Sequence, residues 1–245
     1  MTGVGVTRAA VRASNTGIVD AVKSLDFDAV TAILDVDGSL VTAKGHGDRT
    51  LLHLACAVQT TSPRSRALQV RLAGLLLDRG LAIDEPYGRD ACTALFEAVA
   101  RARNIDLVRF LLDRGADVHT APGGGLFAAT WWQDLDILDV LIDAGADLEI
   151  VVGVTPFLAS LSSGRFAAAK HLVERGADVN APDPKGRTAL HLVLEKDYDP
   201  ALLAWLVGHG ASADLEDHAG VTARVKASRK RDRRYLAAIE RGGRV

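Results

Sequence analysis

Apolar residues along this chain come in short runs that return at a near-constant interval, each run closed by a glycine. Leu76-Leu77, Leu111-Leu112, Leu141-Ile142, Leu172-Val173 and Leu206-Val207 precede Gly80, Gly115, Gly145, Gly176 and Gly210, which lie 30 to 35 residues apart. A glycine just past an apolar-periodic run is the usual residue for the left-handed turn that closes a helix. Turn chemistry follows, and a second apolar run begins beyond it. In the stretch from Gly176 to His191, GADVNAPDPKGRTALH, the turn is Asp183-Pro184-Lys185-Gly186, and Thr188 can cap a helix whose apolar positions start at Leu190. The pattern predicts helix, exposed turn and helix, repeated. A fixed period of this size marks units that cannot bury their own apolar faces and must stack on neighbours.

The helix starts recur as a motif: Thr50-Leu51-Leu52-His53, Thr93-Ala94-Leu95-Phe96, Thr155-Pro156-Phe157-Leu158 and Thr188-Ala189-Leu190-His191, with Gly-Ala-Asp at 115–117, 145–147 and 176–178. In these residues, and over about nine-tenths of its length, the chain resembles the ankyrin-repeat family. The resemblance implies an all-α ankyrin-repeat solenoid of stacked helix-turn-helix units with short β-turn fingers. The expected organisation is a mobile leader at 1–16, an N-terminal capping repeat at 17–43, five repeats over 44–215 and a C-terminal capping repeat with a basic outer face at 216–245. In the first cap, Ile18, Val22, Leu25, Val30, Ile33 and Leu34 should face inward from two short helices broken near Asp26. Residues 59–66, with TTSPRSR, read as a polar insertion between helices, either a tolerated surface loop or a contact loop carrying Arg64 and Arg66. His53 and His191 hold the family's histidine position, where the ring bridges to backbone of the adjacent loop. Trp205, in line with Phe110, reads as core.

Composition narrows the function. A hydrophobic fraction of 48% over 245 residues suffices for a continuous stacked core, and a net charge of −2 gives no global pull toward nucleic acid or an anionic membrane. Two cysteines, Cys56 and Cys92, make neither a disulfide framework nor a metal-ligand spacing. No signal-peptide core and no run approaching ~18 apolar residues is present, so a soluble, cytoplasmic protein without a membrane partner is expected. The seven histidines include no i, i+4 pair, so no metal is expected. There is no nucleophile elbow, no phosphate loop and no isolated carboxylate pair; neither catalytic residues nor cofactors are expected.

The fourth unit departs from the pattern. Its finger is Pro122-Gly123-Gly124-Gly125, Gly124 stands where the capping threonine should be, and the helix LFAATWWQ puts Trp131 and Trp132 just after its small residues. The resemblance places these two positions on the concave groove, where polar residues are usual. Adjacent helical residues point about 100° apart, so at least one indole should be exposed; the alternative is that one or both fill space against the next helix. The following finger is apolar at Val151, Val152 and Val154, and is expected to join the tryptophans in one patch. The implied function is a non-catalytic protein–protein interaction scaffold or adaptor. Its partner protein would meet an apolar centre of Trp131, Trp132, Val151, Val152 and Val154 and a polar rim of Arg49, Arg89, Asp90, Lys185, Arg187, Glu195 and Lys196. The same patch could close a homodimer. Two rivals are an inhibitor or immunity-type protein that occludes one enzyme, and a nucleic-acid adaptor touching phosphate through Arg229, Lys230, Arg231, Arg233 and Arg234. Against the second, those charges also suit the solvated face of a capping helix.

Overall fold

The computed structural model describes residues 13–120 and 124–242. Residues 1–12 of the expected leader, and Pro122 and Gly123 of the unusual finger, lie outside the described residues. The chain divides into two compact units after Gly125, and among the described residues both are all-α, with isolated bridges in the fingers.

The first unit holds α1 (Asn15–Lys23), α2 (Phe27–Val36), α3 (Leu51–Cys56), α4 (Pro63–Asp78), α5 (Ala94–Glu97) and α6 (Ile105–Asp113). Ser14, Asp26, Thr50, Ser62 and Thr93 each accept a hydrogen bond from an amide in the first turn of the helix they precede. Each such cap contributes about 1 kcal/mol. Ile18, Val22, Leu25, Val30, Ile33 and Leu34 are buried, as are Leu51, Leu72, Leu76, Leu107 and Leu111 behind them. A leucine or isoleucine in such a place contributes roughly 1.5–3 kcal/mol by leaving water.

Two departures from the sequence reading follow from local chemistry. The stretch 59–66 is not loop throughout: Ser62 caps α4 and Pro63 opens it, leaving 57–62 between the helices. Proline at a first helical position loses no hydrogen bond and has φ already set. Arg64 and Arg66 therefore sit in the first turn of a 16-residue helix. Gln69, fully buried, ties this helix to α3 by donating to the carbonyls of Ala55 (2.8 Å) and Val58 (2.9 Å). The second departure is a π turn at Ala98–Ala102, which continues α5. From capping threonine to the left-handed residue that ends the helix, the interval Thr93–Arg103 is one residue longer than Thr155–Gly164 or Thr188–Asp197. A π turn absorbs such an extra residue without breaking the helix.

The second unit holds α7 (Gly124–Trp132), α8 (Leu135–Asp143), α9 (Pro156–Ser162), α10 (Phe166–Glu174), α11 (Ala189–Glu195), α12 (Pro200–Gly208), α13 (Ala223–Ser228) and α14 (Arg234–Gly242). Its core is the inner face of these helices: Leu126, Leu138, Leu141, Phe157, Leu158, Leu172, Leu190, Leu203 and Ile239. Polar contacts cross from repeat to repeat. Arg175 pairs with Asp139 and Asp143, Asp178 N–H donates to Glu149 (2.7 Å), and Asn180 both donates to the Gly210 carbonyl (3.0 Å) and accepts from Ser212 N–H (2.8 Å).

The two motif histidines differ. His191 is fully buried; its Nδ1 accepts from Thr188 N–H and its Nε2 lies 2.9 Å from the Val221 carbonyl, to which it donates, so the ring bridges adjacent repeats. His53 makes the same contact with Thr50, but its Nε2 reaches the backbone of Glu85 and Cys92 in the next finger only at poor hydrogen-bond geometry, and the ring meets Tyr87 edge-on, 4.7 Å between centres. Burial holds its pKa below the ordinary histidine value. Trp205 is not core either: it is half-buried, stacked on His209 (3.8 Å) with the Lys170 ammonium over its ring. At α12 the indole lies on the edge of the apolar stripe, and the histidine one turn later covers its face.

Candidate protein-binding site

Helix α7 buries Leu126, Ala129 and Thr130 and leaves Trp131 and Trp132 at its end, 55% and 47% exposed. Trp131 overhangs a hollow of about 160 Å³ whose other walls are Phe127, Thr130, Ala159, Ser160, Ser163 and Arg165. Two wall hydroxyls are turned away, since Thr130 donates to the Phe127 carbonyl (2.7 Å) and Ser160 to that of Pro156 (2.8 Å), and the third, on Ser163, belongs to an exposed residue. The hollow is therefore lined mainly by hydrocarbon, with one cation and the Ser163 hydroxyl beside it. The Arg165 guanidinium carbon lies 4.4 Å from the Trp131 ring centre, and the backbone N–H of Arg165 donates to the Ser160 carbonyl (2.8 Å).

Val151 and Val152 are exposed at 67% and 54%, with a bridge between Val152 and Val154 around Gly153 at φ 80°. They do not join the tryptophans in one patch. Val154 precedes the cap Thr155 at the start of α9, whereas Trp131 packs beside Ser163 and Arg165 at its far end. The seven residues between span roughly 10 Å. The expectation of side-by-side fingers overlooked that a helix C-terminus lies a helix length away from them.

The expected rim divides by what each side chain already holds. Arg187 is committed to Asp183 (2.6 Å) and Glu195 (2.5 Å), and Glu195 also accepts from Lys226 (2.7 Å). Burial alone would raise the Asp183 carboxyl, but Arg187 and the amides of Arg187 and Lys185 outweigh it and hold the pKa below the usual range. Lys185 and Lys196 are exposed, and Lys185, Arg187 and Glu195 share an open hollow with Asp217 and His218 of the next finger. In the first unit Arg89 and Asp90 are exposed, and Arg49 is partly buried, lying 3.3 Å from Glu97 and 4.9 Å over the Tyr87 ring.

Glu97 is the residue the sequence reading missed. Its side chain is fully buried, accepts from Tyr87 Oη and pairs with Arg49 and, at i+4, with Arg101 (2.5 Å). Burial, then the Glu97 carboxylate, raises the Tyr87 pKa. The Glu97–Arg101 spacing was visible as a helical pair; the burial was not. Arg165 was missed for a similar reason, since only the repeat period puts it beside Trp131.

The basic C-terminal run is neutralised from within only in part. Arg224 pairs with Asp214 (2.6 Å), Lys226 with Glu195 and Asp217, Lys230 with Asp197, and Arg234 with Asp232 (2.8 Å). The Lys226 ammonium, with the amides of Val221 and Ala219, draws the Asp217 pKa down to about 2. Arg229, Arg231 and Arg233 are exposed. Among the described residues no group of three or more His, Cys, Asp or Glu could hold a metal ion, and no helix is long and apolar enough to cross a membrane.

Helix pairs started by Thr motifs, ended by left-handed glycines and joined by Asp-Gly fingers define an all-α repeat protein of the interaction class. The sequence comparisons agree: an ankyrin-repeat model of three copies matches residues 126–217 and a single ankyrin repeat matches 90–121. The chain belongs to the ankyrin-repeat family. Protein PhlB of Serratia liquefaciens is 30% identical over 182 residues, which cover 67% of this chain and 74% of that protein. Among solved structures, the ankyrin repeat domain of Bcl-3, a member of the IkappaB protein family, superposes with a TM-score of 0.75 over 91% of this chain and 97% of its own. At 22% identity that likeness is one of fold. An ankyrin repeat domain from Acinetobacter baumannii AYE gives a TM-score of 0.63 at 25% identity, covering 78% of this chain and 97% of that one. Ankyrin repeats are modules that bind other proteins.

Proposed function

We propose that this chain is a non-catalytic adaptor whose second unit holds a partner protein at the helix ends around Trp131. The observation that carries this is a tryptophan more than half exposed over an apolar hollow, in a repeat position where polar residues are usual. Leaving an indole in water is unfavourable, and tryptophan is enriched among the anchors that dominate interfaces. The apolar finger at Val151 and Val152 is a separate, smaller contact. Internal pairing of Lys230 and Arg234 weighs against the nucleic-acid reading, while Arg229, Arg231 and Arg233 stay exposed.

The test is affinity capture from native lysate, comparing the wild type with Trp131→Ala at matched helicity and melting temperature. A partner retained by the wild type and lost by the variant is the expected result, since truncating an anchor costs about 2 kcal/mol, or roughly thirty-fold in Kd. Equal capture by both would make Trp131 a packing residue and move attention to the finger.

A further inference from the structure

Resting on that reading, we propose that the segment seated in the Trp131 hollow presents a carboxylate beside an apolar side chain. The first ground is size. A volume of about 160 Å³ is well below the ~300–1,000 Å³ of small-molecule sites and suits a single inserted side chain. The lining is mainly hydrocarbon from Phe127, Ala159 and Trp131, with the Thr130 and Ser160 hydroxyls spent on backbone carbonyls and only that of Ser163 left beside it, so that side chain is apolar.

The second ground is the state of Arg165. Its Nε is buried and has no hydrogen-bond partner, and among the described residues no carboxylate pairs with its guanidinium. Other arginines of this unit are held differently: Arg175, Arg187 and Arg224 each rest on an aspartate. The buried Nε is out of an incoming ligand's reach, but the cation has no carboxylate of its own among the described residues, and an acid arriving at its outer nitrogens pairs with it. Stacking on the indole fixes the guanidinium plane before any ligand arrives, and a fixed fork favours the planar, two-oxygen geometry of a carboxylate. Cation and apolar hollow share one wall, Trp131, so the two groups of the ligand must be neighbours.

The experiment uses the full chain and a random peptide library displayed on phage. Selected peptides should share Asp or Glu next to Leu, Met or Phe. For a synthetic copy of the best binder, Arg165→Gln should weaken binding about ten-fold or more, as expected for a charge-assisted bond. Arg165→Lys should fall between, keeping charge without the fork. Changing the peptide's acid to its amide should cost as much, and the two changes together little more, because they delete one interaction. In a ¹⁵N-edited spectrum the Arg165 Nη–H signals should shift downfield on binding. Enriched peptides without an acid, or losses that simply add, overturn the proposal. If Trp131→Ala abolishes binding while Arg165→Gln leaves it intact, the hollow remains the site and only the carboxylate is wrong. If neither variant matters, or nothing is enriched, both readings fall.

Discussion

Glu97→Ala should destabilise the first unit by about 3 kcal/mol, the low end of the cost of breaking a buried ion pair. The side chain is wholly inaccessible, and three groups lean on it: the Tyr87 hydroxyl, Arg49 and Arg101. Removing it leaves a hydroxyl without its acceptor, a three-quarters-buried guanidinium without its counter-charge and a small cavity. Arg101, half exposed, recovers water and adds little. Glu97→Gln separates shape from charge: it keeps an acceptor for Tyr87 and should cost about half as much. Urea unfolding followed by circular dichroism measures both. A loss under ~1 kcal/mol for the alanine variant would mean that the cluster merely balances its own desolvation.

The second large effect is expected at Gly186. Its φ of 74° is left-handed, and a Cβ built there would come within 2.6 Å of His218 Cδ2 and 2.9 Å of the His218 backbone nitrogen. The imidazole can rotate away; the backbone cannot, because His218 N–H is bonded to the Lys185 carbonyl at 3.0 Å. Relief requires moving the 217–221 finger, which also carries the Val221 carbonyl that holds His191. Gly186→Ala should therefore cost about 2–3 kcal/mol, of which 1–2 is the left-handed backbone itself. Gly220→Ala is the control. It shares a left-handed φ, 71°, but has open space around its Cβ, so it should show the backbone part alone. Equal losses for the two would mean that the fingers do not touch as tightly as their geometry states.

What could be read from the sequence was whatever is written within a few residues. Thr188 followed by His191, Gly176 after Leu172-Val173, and Asp183 to Gly186 as a turn each carry their own local reason, and repetition multiplied the signal. The start of α4 was equally local, with Ser62, Pro63 and Ser65 spelling a cap, but TTSPRSR was judged by polarity instead. Exposure at the end of α7 followed from the helical angle between Trp131 and Trp132. What was not legible depends on stacking. Glu97 looks like a surface residue until Arg49 and Tyr87 close over it, Arg165 looks like a turn arginine until Trp131 lies against it, and the valine finger looks adjacent to the indoles until the length of α9 is counted.

The most direct test of a partner seated at the helix ends is hydrogen–deuterium exchange on the chain alone and in complex with its captured partner. Slowed exchange over 126–134 and 156–166, with the fingers at 149–154 and 183–187 changing less, is the result expected. Protection confined to those fingers or to 223–242, with the end of α7 unchanged, would contradict it.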